Sequence, residues 1–143
     1  MPPSLKRLLL GCLLLCSLAL LAGCPKSASR GTALEQRQYD YSAAIRWGDF
    51  EGAWQLVDPE VRKRKPLTDV DFSRYKQVQI SGYRDRGMST AGDGAVIRDV
   101  EIGVINRNTL AERTVRYTER WRYDEAAGNW WLLSGLPDLW GGE

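Results

Sequence analysis

The stretch Ala95-Val-Ile-Arg-Asp-Val-Glu-Ile-Gly-Val-Ile-Asn106 decides how this chain folds. Val96, Arg98, Val100, Ile102 and Val104 fall on one side of it, and Ile97, Asp99, Glu101, Gly103 and Ile105 on the other. A period of two sustained over that length predicts a long strand with one apolar face. The tetrad Asn106-Arg107-Asn108-Thr109 then signals a turn. Alternation resumes over 110–123, with Val115, Tyr117, Glu119, Trp121 and Tyr123 set against Thr114, Arg116, Thr118, Arg120 and Arg122. Asp124-Glu-Ala-Ala-Gly128 is a second turn, and Trp130, Trp131, Leu132 and Leu133 belong to a last strand over 129–134. Upstream, 76–84 reads as a strand with Val78 and Ile80 on one face, followed by a long Gly- and Ser-containing loop over 85–94.

These faces set the expected register. The apolar positions are even-numbered in the central strand and odd-numbered in the next, so paired positions must sum to an odd number. A one-residue slip would turn every side chain to the opposite face. A turn centred between Arg107 and Asn108 sets Val100 opposite Val115, Arg98 opposite Tyr117 and Val96 opposite Glu119. For the last hairpin, a five-residue loop places Trp121 opposite Trp131, and a four-residue loop places Trp130 there.

Ahead of the strands the period is helical. Leu34, Gln38, Tyr41, Ala44 and Ile45 share a face, and Gly48 is a natural stop. Asp49 caps a second helix over 50–57, whose Phe50, Ala53, Trp54 and Val57 face one way. Asp58-Pro59 supplies a cap and a first-turn proline for a third helix ending near Lys65, before Pro66, and Thr68 caps one more turn through Asp71 and Phe72. Helices followed by an antiparallel meander predict an α+β domain, with the N-terminal helices packed on one face of a curved sheet. About 110 residues suffice for one core.

The N-terminus reads as an address. Lys6 and Arg7 precede an apolar run from Leu8 to Ala22, shorter than the ~20 residues a membrane span needs. The run closes on Leu21-Ala22-Gly23-Cys24, which resembles the lipobox of bacterial lipoproteins. The resemblance implies that 1–23 are removed as a signal peptide and that Cys24 is lipidated, anchoring the mature chain in a lipid bilayer. Two or more acyl chains convert reversible contact into stable anchoring. Pro25 stands where enteric members carry Asp as an inner-membrane retention signal, which implies the outer membrane, facing the periplasm. Cys12 and Cys16 fall within the removed segment, so no thiol remains for a disulfide, a nucleophile or a metal. The small, polar stretch 25–32 reads as a flexible tether.

Composition narrows the function classes. The chain has 143 residues, 20 Lys+Arg, 18 Asp+Glu and no His. Its net charge of +2 is that of Lys6 and Arg7; without them 18 basic residues face 18 acidic ones. A near-neutral domain lacks the basic excess of a nucleic-acid binder. Without His there is no Ser-His-Asp or Cys-His set and no imidazole metal ligand. Asp85 and Asp93 are the only carboxylates of the 85–94 loop, too few for a calcium loop, and Gly92-Asp-Gly94 is followed by no helix that would cradle phosphate. No cofactor is implied.

Tyr41-Ser-Ala-Ala-Ile-Arg-Trp-Gly-Asp-Phe-Glu-Gly-Ala-Trp, with Tyr117-Thr-Glu-Arg-Trp-Arg-Tyr and Asp124-Glu-Ala-Ala-Gly-Asn-Trp-Trp-Leu-Leu, resembles the nuclear transport factor 2-like superfamily over residues 33–137. The resemblance implies a cone of the cystatin/nuclear transport factor 2-like kind, with a cavity between sheet and helices. Some members are isomerases or dehydratases and many bind ligands or proteins, so fold alone does not deliver function.

Arg98 and Glu119 are the polar intruders on the apolar strand faces. They would form the polar end of a pocket lined by Tyr41, Tyr117, Trp121 and Trp131, with Glu119 as a general base in an enzymatic alternative. A structural ion pair, or charges at the open rim of the cone, is the plainer reading and is preferred, because ion-pair networks commonly mimic sites and no second acid–base partner is evident. Arg62-Lys63-Arg64-Lys65 would be either solvated helix-end cations, the preferred reading, or contacts to anionic lipid. Arg116, Arg120 and Arg122 form a protein-docking face or a solvated outer face. The expectation is a membrane-anchored envelope lipoprotein with a non-catalytic ligand- or protein-binding domain, acting as a homodimer or with an envelope protein partner.

Overall fold

The structure, a computed structural model, describes residues 25–140. Residues 1–24, on which the expected signal peptide and lipidated Cys24 fall, lie outside the described residues. Four helices come first: α1 (Pro25–Trp47), α2 (Phe50–Gln55), α3 (Pro59–Arg64) and α4 (Asp69–Tyr75). An open antiparallel sheet follows in the order β1 (Val78–Thr90), β2 (Val96–Asn106), β3 (Glu112–Asp124) and β4 (Asn129–Leu132). The chain is of the α+β class.

Helix boundaries follow the capping chemistry. Gly48, at φ 74°, ends α1, and the Gly48 and Asp49 amides return to the Ile45 and Ala44 carbonyls. The Asp49 and Asp58 carboxylates accept from the Gly52 and Glu60 amides, and Thr68 with Asp71 forms a reciprocal capping box. Helix α1 is described from Pro25, so 25–32, expected to be a tether, lies within it; Lys26, Ala28 and Arg30 are good helix formers. The compact unit described below begins at Ala33.

The sheet departs from expectation in three places. Residues 85–90, expected to be a loop, continue β1 and pair with β2 as far as Thr90↔Val96. Two register shifts, between Ile80 and Gly82 and between Asp85 and Gly87, let the bent strand keep its partner. Each shift also exchanges which parity faces inward, so Val78 and Ile80 are followed on the inner face by Tyr83 rather than by Gly82. In the β2–β3 ladder Val100 pairs with Tyr117, Ile102 with Val115 and Arg98 with Glu119, two positions from the expected register. The turn lies later than expected: Asn106 Oδ1 accepts from the Asn108 and Thr109 amides, and Leu110 closes the loop at φ 59°. A shift of two preserves the faces. Between β3 and β4, Trp121 pairs with Leu132 and Arg122 with Trp131, replacing both expected registers. Asp124 caps the loop by accepting from the Ala126 and Ala127 amides, and Gly128 closes it at φ 62°.

The core joins Tyr41 and Ile45 of α1 and Phe50 and Ala53 of α2 to Val100, Ile102 and Val104 of β2, Trp121 of β3 and Leu132 of β4. Full burial of the Val, Ile, Leu and Phe side chains among these contributes about 1.5–3 kcal/mol each. Val57, expected to lie in the second helix, instead bridges Leu132 in parallel, with the Asp58 amide donating to the Leu132 carbonyl at 2.8 Å. The segment after β4 folds back over the open end of the core. Tyr75 donates to the Pro137 carbonyl at 2.9 Å, Arg113 Nε donates to that of Leu139 at 3.0 Å, and Leu139 is fully buried.

Candidate functional site

The polar intruders meet inside the core. Arg98 and Glu119 are direct cross-strand partners, not diagonal ones. Glu119 is 0% exposed. Its Oε1 accepts from the Tyr83 hydroxyl, and its Oε2 accepts from Trp121 Nε1 at 2.6 Å. Arg98 Nη1 stands 3.6 Å from Oε1, while Arg98 Nε donates to Asp85 Oδ2 at 2.7 Å. Arg98 therefore bridges one sealed carboxylate and one exposed one, with its guanidinium carbon 5.9 Å from the centre of the Tyr83 ring.

Burial pushes the Glu119 carboxyl above the usual carboxylate range, against the opposing pull of Tyr83, Arg98 and Trp121. Burial, with the Glu119 charge second, raises the Tyr83 phenol. For Arg98, burial works against the charge, but Glu119 and Asp85 together outweigh it and hold the guanidinium above its ordinary value.

A second polar cluster lies beside the first. Tyr41 and Tyr117 both donate to the Gly135 carbonyl, at 2.9 and 2.7 Å, and their oxygens are 3.3 Å apart. The Tyr41 ring meets Trp121 edge-on at 6.0 Å. Burial raises both phenols. Thus Tyr41, Arg98, Tyr117, Glu119 and Trp121 are brought together as expected, but around packed side chains. Trp131 is not among them. It faces the other way, half-buried with the Arg37 guanidinium 5.4 Å from its ring centre, while Trp130 points inward against Tyr123. The reason is the β3–β4 register, which gives the inner face to even positions.

Tyr83 and Gly135 were not singled out from the sequence, and Asp85 was weighed only as a loop carboxylate, not as a partner of Arg98. Gly82 and Gly87 are the only local hint of the two bulges that bring Tyr83 and Asp85 to Arg98. Gly135 contributes through a backbone carbonyl, which carries no residue signature.

The open concavities are elsewhere. A cleft of about 540 Å³ is walled by Trp54, Val61, Leu67, Tyr75 and Leu136, with Arg64 and Lys65 also lining it. A groove of about 670 Å³ runs between α1 and β1, flanked by Tyr39 and Trp47, which are 68% and 88% exposed. The outer face bearing Arg116, Arg120 and Arg122 is ion-paired: Arg116 with Glu101, Arg120 with Asp93, and Arg122 with the buried Asp58 at 2.6 Å. Among the described residues, no three Cys, His, Asp or Glu side chains are grouped to hold a metal ion.

Comparison with protein-family models and with curated proteins returns no match for this chain.

Proposed function

We propose that the chain is an envelope lipoprotein, held at a bilayer through acylated Cys24, whose domain binds a ligand or partner without transforming it. The observation that carries the non-catalytic half is the state of Glu119. It is fully enclosed, and each carboxylate oxygen accepts from a neighbouring side chain. A general base needs an oxygen within reach of a substrate proton, and both concavities described above are lined by residues other than Glu119. Its partners suit a structural group whose burial is offset in part by hydrogen bonds and a cation. The anchor half is supported by the charged start, the apolar run and the terminal Leu-Ala-Gly-Cys.

The groove flanked by Tyr39 and Trp47 supports a protein partner, a second copy or another envelope protein, because solvent-exposed tryptophan is characteristic of interface anchors. Crosslinking of the lipidated protein in intact cells, with the partners identified by mass spectrometry, tests the binding half. A turnover reaction abolished by Glu119→Gln in a folded protein would overturn it. Fractionation tests the anchor: Cys24→Ser is expected to leave the membrane-associated pool, and a bare residue 24 in the native protein would refute anchoring.

A further inference from the structure

We infer that the cleft beneath α3 is a binding site for an anionic single-chain amphiphile, a long apolar chain ending in a carboxylate or phosphate head. This rests on the binding reading above and adds the class of ligand.

The walls divide by chemistry. Trp54, Val61, Leu67 and Leu136 offer apolar surface from α2, α3, the α3–α4 connection and the segment after β4. The polar atoms beside them are already engaged within the protein. The Tyr75 hydroxyl donates to the Pro137 carbonyl, the Gly135 carbonyl accepts from two tyrosines, and Ser134 Oγ accepts from the Arg120 amide at 2.8 Å. An occupant rich in hydroxyl or amide groups would lose its water here for few hydrogen bonds, whereas an apolar chain loses nothing of that kind. The volume of about 540 Å³ falls within the span of sites that enclose small ligands, roughly 300–1,000 Å³.

The four consecutive cations around α3 divide in the same way. Arg62 donates to Gln55 at 2.7 Å and Lys63 pairs with Glu60 at 2.8 Å. Arg64 and Lys65 line the cleft, both exposed. Neither has a carboxylate within ion-pairing distance among the described residues; Arg64 reaches only the Glu60 backbone carbonyl, at 3.3 Å. An apolar interior with two uncompensated cations beside it is complementary to a chain with one anionic end. Helix-end stabilisation explains why cations stand at this end of α3. It does not explain why the two facing the cleft lack side-chain partners while Arg62 and Lys63 have them.

The test uses the full lipidated chain in phosphatidylcholine vesicles, with photoreactive diazirine analogues of stearate and of lysophosphatidate, and mass spectrometry to locate the label. Label from either probe is expected on the cleft walls, and the ratio of the two identifies the preferred head group. The variant R64E/K65E is expected to lower that labelling about tenfold, the equivalent of about 1.4 kcal/mol. E60Q/K63Q, which removes a neutral ion pair without changing the net charge, is expected to leave it unchanged, and circular dichroism of each variant checks the fold. Absence of cleft label, or label undiminished in folded R64E/K65E, overturns the inference. If that happens while cell crosslinking still captures a partner at the α1–β1 groove, the binding reading survives and only the amphiphile is lost. If neither experiment yields an occupant, both fall.

Discussion

Arg98 stands directly opposite Glu119 on the β2–β3 ladder, and its other nitrogen reaches across to Asp85 on β1, so one guanidinium ties three strands together. Removing it leaves Glu119 as a sealed carboxylate without a cation. Arg98→Met is expected to cost about 3–5 kcal/mol, the usual penalty for breaking one side of a buried pair. Glu119→Gln also destabilises, because an amide cannot accept at both ends from Tyr83 and Trp121. The two changes together are expected to cost less than their sum, by more than about 0.5 kcal/mol. Urea unfolding of the four proteins measures the cycle, and strict additivity would show that the pair is not coupled.

The pH dependence of stability carries two opposed signatures. Glu119 titrates above the ordinary carboxylate value in the folded protein because it is buried. Between about 4.3, its value in an unfolded chain, and that raised value, the native state holds the extra proton, so stability falls as pH rises. Asp58 runs the other way. Burial opposes its ionisation, but bonds from Arg122 and the Glu60 amide hold it below the usual range, so its contribution is present above about pH 4 and is lost on acidification through the depressed value. Urea midpoints followed from acid to neutral pH are expected to decline above about pH 4.3 for the native chain relative to Glu119→Gln. Parallel profiles would refute the assignment.

The Gly135 carbonyl makes the two tyrosines mutual substitutes. Tyr41→Phe and Tyr117→Phe each remove one donor and leave the other in place. Each is expected to cost about 1 kcal/mol, and the double variant to cost about 1–3 kcal/mol beyond the sum, because only then is the buried carbonyl left unpaired. Thermal and urea unfolding check this; an additive double variant would mean that another donor, such as water, takes over.

Leu110 is the one described non-glycine residue with positive φ, and it is 77% exposed. Its side chain gains little from burial and suffers the left-handed steric clash. Leu110→Gly is expected to stabilise the protein by about 0.5–1 kcal/mol after the greater freedom of glycine in the unfolded chain is deducted. A lower melting temperature would show that the loop conformation depends on the leucine.

Much of the site was legible as parity. Alternation placed Tyr117, Glu119 and Trp121 on the inner face of β3 and Arg98 on that of β2, and helical spacing put Tyr41 on the buried side of α1. Parity does not give register. Asn106 and Asp124 each cap their loop by accepting from backbone amides, and these local hydrogen bonds choose where the chain reverses. Arg98 therefore meets Glu119 rather than Tyr117, and Trp131 leaves the cluster.

The helix caps, the inner faces of β2 and β3 and the class of the fold follow from residues near one another along the chain, because capping and amphipathic periodicity are local. The closure of Tyr83 on Glu119, the return of the segment after β4 to accept from Tyr41, Tyr75 and Tyr117, and the gathering of cleft walls from α2, α3 and the C-terminal segment belong to the tertiary structure. The hydrogen bonds among these join residues 18 to 94 positions apart. They depend on bulges and backbone carbonyls, which side-chain patterning does not encode.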